Sequence, residues 1–165
     1  MPQSQLLLKD IILLGKHFDS STHLHSLVYF AQELKIIPRV YDFDYNLNIP
    51  FSEKLDEELL VLKAENIVED VNNGKRLQAV EELSDGELSY LTKEQAEQLK
   101  DIFSIDSSTL VNIARLYYLI NNNPDFWEEE NAEKLSSKAR RTFLMSLPTF
   151  RDSFARLHKI KAAIH

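Results

Sequence analysis

Cysteine is absent from the 165 residues. That removes disulfides, thiolate zinc sites and thiol nucleophiles, and it fits a reducing compartment. Glycine occurs three times and proline five, too few for an architecture rich in strands and tight turns, so helices should dominate. The glycines, Gly15, Gly74 and Gly86, lie far apart and cannot make a phosphate-cradling loop. Long apolar runs are missing too. Crossing a bilayer takes roughly 20 apolar residues, whereas the run from Leu6 to Leu14 is interrupted by Lys9 and Asp10. It also lacks the basic start and small-residue cleavage site of a signal peptide. The expectation is a soluble cytoplasmic protein with no membrane partner.

What is present suffices for a core. Hydrophobic residues make up 44% of the chain, and its length fits one domain, or one small domain with an extension. The net charge of −7 conceals an asymmetry. Of 19 bases and 26 acids, eight bases and a single acid, Asp152, lie between Lys134 and His165, so this tail is +7 and the remainder −14. Either the tail docks on or balances the acidic body, or it offers a local anion-binding surface.

Apolar periodicity marks the elements. Pro2 and Gly15 bracket a first helix whose face holds Leu7, Ile11 and Leu14, widened by Leu8 and Ile12. His17-Phe18-Asp19 reads as a connector. Ser20, Ser21 and Thr22 offer N-caps for a second helix, with Leu24, Leu27, Val28, Ala31 and Leu34 facing inward. Tyr41-Asp42-Phe43-Asp44-Tyr45 alternates as a half-buried strand would, and Asn46 to Pro50 reads as a loop. A third helix opens at Ser52, with Glu53 and Asp56 where the helix dipole favours acids and Leu55, Leu59 and Leu62 on one face. Ile67 to Val71 and Lys75 to Val80 flank Asn72-Asn73-Gly74, a hairpin signal. A loop over Glu81 to Glu87 and a third strand over Leu88 to Leu91 should follow.

In the second half, Thr92-Lys93-Glu94-Gln95 has the form of a capping box and opens a fourth helix. A fifth starts near Ser107 or Ser108 and ends before Pro124. Pro124 starts a short helix bearing Phe126, Trp127 and Leu135, and another runs from about Ser137 to Leu147, stopping before Pro148. In the last helix Phe150, Phe154, Leu157, Ile160 and Ile164 form a stripe, with Arg151, Arg156, Lys159 and Lys161 off it. The fold expected is mainly α, of the α+β class. Helix, helix and hairpin over residues 1–91 have the order of a winged helix-turn-helix, and residues 92–165 form a helical extension packed on it.

Signals for chemistry are sparse. His23 and His25 are two apart and point roughly 200° away from each other on a helix, so they cannot share a metal. Asp42 and Asp44 would share a strand face, but no third ligand is near in sequence. Glu128-Glu129-Glu130 reads as a solvated charge run and Trp127 as a core anchor. No nucleophile motif supports a Ser-His-Asp arrangement. We expect neither catalysis, nor a metal, nor a cofactor.

Thr22-His23-Leu24-His25-Ser26-Leu27-Val28-Tyr29-Phe30-Ala31-Gln32 resembles a helix signature of the form T-K-L-Q-K-L-L-Y-F-A-Q. Tyr41-Asp42-Phe43 and Pro50-Phe51-Ser52-Glu53-Lys54-Leu55 resemble the Y-x-F and Y-G-P-x-S-x-x-L elements that follow it. Over Thr22 to Val71, under a third of the chain, these motifs resemble the Panacea-domain antitoxins and related microbial winged-helix proteins. The resemblance implies a regulatory winged helix, which binds a toxin or another protein in some relatives and DNA in others. Asn48-Ile49 stands where the family has Tyr-Gly, and His23 and Ser26 replace lysines. The departures put in question the turn before the third helix and any anion-contacting role for the second.

Two functions follow. The first is binding of double-stranded DNA, with Ser52 and Lys54 of the third helix, Lys75 and Arg76 of the hairpin, and Lys138, Arg140 and Arg141 of the tail as contacts. Against it stands the charge of the third helix, where Glu53, Asp56, Glu57, Glu58 and Glu65 outweigh Lys54 and Lys63. The second is a protein-interaction module. Its acidic third helix suits a basic protein partner, and the stripe Phe150, Phe154, Leu157, Ile160 and Ile164 suits a homodimer or a partner groove, unless it covers the protein's own core.

Overall fold

The computed structural model describes residues 1–45, 49–82 and 88–164. Asn48, most of the loop expected over Asn46 to Pro50, most of that over Glu81 to Glu87, and the side chain of Ile164 lie outside the described residues. The described chain is mainly helical with one small antiparallel sheet. Its elements are α1 (Gln3–Gly15), β1 (His17–Phe18), α2 (Ser21–Glu33), α3 (Glu53–Ala64), β2 (Val68–Val71), β3 (Arg76–Ala79), α4 (Lys93–Phe103) and α5 (Ser107–Asn122). Two 3-10 turns, Pro124–Trp127 and Glu129–Asn131, lead to α6 (Ala132–Phe143) and α7 (Leu147–Ile164).

Helix α2 is central because it is buried nearly all round, its polar His23, His25, Ser26 and Gln32 included. Every residue from His23 to Gln32 is buried. It packs on α5 and α4, α5 packs in turn on α6 and α7, and α1 lies against α3 and α4. One cluster of buried side chains runs from Leu7 through Leu27, Leu59 and Leu110 to Leu157. Each fully buried leucine contributes about 2 kcal/mol. Caps set the helix starts: the side chains of Ser20, Ser52, Thr92 and Asp106 accept from His23, Leu55, Gln95 and Thr109 N–H, and Thr92 with Gln95 completes the capping box.

The sheet order is β1-β3-β2. Asn72, Asn73 and Gly74 all have positive φ (54°, 59° and 80°), the conformation that asparagine and glycine tolerate best. They close the hairpin that sets Val71 opposite Arg76. The third strand is not Leu88 to Leu91 but His17–Phe18, which was expected to be a connector. Phe18 pairs with Leu77, and Ala79 N–H donates to Lys16 C=O at 2.7 Å, so the free edge of β3 is already taken. Ser89, Tyr90 and Leu91 N–H instead donate to the buried carboxylate of Asp10, at 3.0, 2.7 and 2.9 Å.

Three further expectations are corrected. Tyr41 to Tyr45 is not a strand: among the described residues its strand-like pairing is one bridge, Asp44 with Phe51. The segment is held by the amide of Gln32, which bonds Val40 and Tyr41 N–H and Tyr41 C=O. Tyr45 stacks on Tyr118, with ring centroids 3.8 Å apart. The short helix expected from Pro124 is the 3-10 turn Pro124–Trp127, but Leu135 belongs to α6, which starts at Ala132 and not near Ser137 and runs unbroken to Phe143. Pro148 lies in the first turn of α7, where its missing N–H costs nothing. Finally, α1 ends in a left-handed Lys16, φ 68°, while Gly15 is needed for space: a Cβ there would meet the Phe18 ring at 2.7 Å.

Candidate interaction surfaces

Helix α3 is amphipathic about Leu55, Leu59 and Leu62, which are buried. Glu58 joins them below, where it bonds the hydroxyls of Ser4 (2.6 Å) and Tyr41 (2.8 Å). The exposed residues of α3 are Glu53, Glu57, Leu60, Val61 and Ala64, at i, i+4, i+7, i+8 and i+11, with Lys54 beside Val61, seven positions before it. Leu60 is 59% and Val61 43% exposed. Two aliphatic side chains thus stand in water, with acids along the helix on the same side.

The basic contacts proposed around α3 are only partly available. Ser52 is buried, its hydroxyl caps Leu55 N–H, and its own N–H donates to His25 Nδ1 at 3.1 Å. It cannot reach a base in a groove. Lys54 is exposed but lies back over the Tyr41 ring, 5.7 Å from the centroid, and 3.4 Å from Val40 C=O. Lys75 is exposed at the hairpin tip. Arg76 is half-buried, with its Nε lacking a hydrogen-bond partner among the described residues.

His25 sits beneath the N-terminus of α3, stacked on Phe51 at 4.8 Å, with Nε2 3.6 Å from Asp56 Oδ1. Burial lowers its pKa, only partly offset by Asp56. Burial lowers that of His23 as well, against the opposing pull of Asp19. Both rings use Nδ1 to accept a backbone N–H, from Ser52 and from Asp19 respectively. They are therefore neutral structural histidines. Near His23, the Ser107 hydroxyl donates to Asp19 Oδ2 at 2.7 Å and not to an imidazole, so serine and histidine are not linked as nucleophile and base. Among the described residues, no three His, Asp or Glu side chains come together to hold a metal.

The tail builds the other charged surface. Lys134, Lys138 and Arg141 fall at i, i+4 and i+7 on α6, and all are exposed. Lys138 lies 5.9 Å from the centroid of Phe126. Arg140 is exposed on the neighbouring face. Among the described residues the tail's bases form no ion pair with the acidic body; Arg156 pairs with Asp152 within α7, and Lys161 sits 3.6 Å from the centroid of Trp127. The apolar stripe of α7 mostly covers the protein's own core. Leu157 and Phe150 are buried, and Phe154 and Ile160 pack against the same cluster.

Between α6 and α7 runs an open groove of about 890 Å3, with Phe150 and Phe154 among the residues that line it. Sequence periodicity did not single out Leu144, the turn residue beside it, which is 88% exposed with φ 56°. Nor did it single out Leu60 and Val61. They break the polar pattern of an outward helix face, and that is the signal that could have found them. Among the described residues, no helix is long and apolar enough to cross a membrane. No protein-family model, curated protein or solved structure matches the chain.

Proposed function

We propose that this chain is a non-catalytic winged-helix module of protein interaction, whose α3 receives a partner segment bearing apolar and basic side chains. The element order and the sheet order β1-β3-β2 support the winged-helix reading, with β2 and β3 as the wing. The observation that carries the function is the pairing of exposed Leu60 and Val61 with Glu53 and Glu57 on α3. Against phosphates that face would be repelled, and its aliphatic groups would find no use on a charged backbone. Against a protein the same face offers an apolar centre with a charged margin, which gives both burial and register.

The test is selection of a phage-displayed library of helical peptides on the immobilised full chain. Selected peptides should carry Lys or Arg flanking apolar residues at helical spacing. They should lose roughly tenfold or more in affinity on Leu60→Asp, as for loss of an interface anchor worth over 1 kcal/mol, and should be indifferent to Lys138→Glu. Peptides insensitive to Leu60→Asp and Glu57→Lys would sink the proposal.

A second reading, binding of double-stranded DNA, is favoured by the Lys134, Lys138 and Arg141 stripe on α6, with Lys75 at the hairpin tip. It predicts saturable, steeply salt-dependent anisotropy changes of a labelled random-sequence duplex, reduced by Lys138→Glu. No binding at low salt removes this reading and leaves the first untouched.

A further inference from the structure

Leu144 joins α6 to α7 in a conformation that suits glycine. Its φ is 56°, its N–H donates to Arg140 C=O at 2.9 Å, and Met145 N–H reaches Ala139 C=O at 3.5 Å. This is the left-handed helix end at which a Cβ is unfavourable. The backbone job therefore gives no reason for a leucine, and neither does the core, since the side chain is 88% exposed. The groove between α6 and α7 includes Phe154 in its lining and has charged ends of opposite sign. Arg140 and Arg151 stand towards the turn, and Glu129 and Glu133 towards the open end of the helical hairpin.

We infer that this face is the interface of a homodimer. The occupant follows from the charge pattern. A purely acidic segment would satisfy Arg140 and Arg151 but meet Glu129 and Glu133, and a purely basic one would meet the arginines. A second copy, turned by a two-fold axis across the hairpin, brings the basic end of each groove against the acidic end of the other. The same operation carries each Leu144, in the turn, to the open end of the partner's helical hairpin. Such a contact is isologous and closes at two copies. It uses none of the α3 residues assigned to the partner segment, so it stands or falls independently of that assignment.

Sedimentation equilibrium of the full chain over a concentration series tests this, with circular dichroism checking that each variant is folded. The native chain should form a reversible dimer that weakens with salt. Leu144→Asp, Arg140→Glu and Glu133→Arg should each raise the dissociation constant by roughly tenfold or more. Equimolar Arg140→Glu and Glu133→Arg should associate with each other far better than either does with itself, because mixing restores opposite charges at both ends. A native chain that stays monomeric or assembles beyond two copies overturns the inference. So does a dimer indifferent to Leu144→Asp, or a mixture of the two charge variants that remains monomeric.

Discussion

The phenol oxygen of Tyr41 lies 2.8 Å from Oε2 of Glu58 and 2.9 Å from Ser4 C=O, while the Ser4 hydroxyl donates to Oε1 of the same carboxylate. Three segments, α1, the stretch after α2 and α3, are thereby tied at one buried acid. Tyr41→Phe removes the phenol while keeping the ring, and should cost about 1–2 kcal/mol. For a chain of this size that lowers Tm by roughly 2–4 °C per kcal/mol. Glu58→Ala should cost more, because the buried Ser4 hydroxyl loses its acceptor, the Tyr41 hydroxyl keeps only Ser4 C=O, and the acid's packing is lost. The double variant should cost less than the sum of the two. Additive losses in urea unfolding would mean that the groups do not act as a unit.

Asp10 is fully buried and accepts three consecutive backbone N–H groups, those of Ser89, Tyr90 and Leu91. It fixes the chain just before α4 without a strand. Asp10→Ala strands those donors and should cost about 3 kcal/mol or more. Asp10→Asn keeps one acceptor oxygen but turns an N–H2 towards a donor, so it rescues little. Amide hydrogen exchange should rise at Ser89 to Leu91 before it rises in α2. Unchanged protection there would contradict the assignment.

These two ties also show where sequence reasoning reached its limit. Helices whose apolar faces recur at helical spacing, such as Leu7, Ile11 and Leu14 or Leu55, Leu59 and Leu62, were legible, as were the hairpin at Asn73-Gly74 and the Thr92 capping box. Each is a local pattern. The strand at His17–Phe18 was not legible, because two residues have no period and their pairing with Gln78 and Leu77 is set by where α1 ends. Asp10, Gln32 and Glu58 read as ordinary polar residues, since their partners lie 8 to 81 positions away. Of the candidate sites, the acidity of α3 was visible. The burial of Ser52 under His25, and the exposure of Leu60, Val61 and Leu144, depend on which neighbours tertiary packing brings near.

His23 and His25 give stability a pH dependence with a definite sign. Both have a folded pKa lowered from the ordinary 6.5, so between that lowered value and 6.5 the unfolded chain binds more protons than the folded one. Stability therefore rises with pH through this window, is fully present above it, and is lost on acidification. Protonation would also remove the Nδ1 acceptors of Ser52 and Asp19 N–H. Asp106, whose carboxyl is held below its usual value by Thr109, acts only at lower pH. Tm should fall as pH drops from about 7.5 to about 5, the range in which imidazole titrates. Replacing both histidines by asparagine, whose carbonyl keeps an acceptor, should flatten that slope. A slope that survives the double replacement would place the titration elsewhere.

Leu144→Gly should have opposite effects on the monomer and on its association. A non-glycine residue in the left-handed region costs about 1–2 kcal/mol, and glycine gives back roughly 0.5–1 kcal/mol through the greater freedom of the unfolded chain. The monomer should then gain somewhat under 1 kcal/mol, raising Tm by about 2 °C, since the 88% exposed side chain takes almost no core packing with it. At concentrations where the native chain pairs, mass action adds stability that the variant lacks. Native Tm should climb with concentration and overtake that of Leu144→Gly, whose own Tm should stay nearly flat. Thermal unfolding of both proteins across a dilution series shows the crossing. Parallel curves would mean that Leu144 contributes nothing to association, whatever the strain in its backbone.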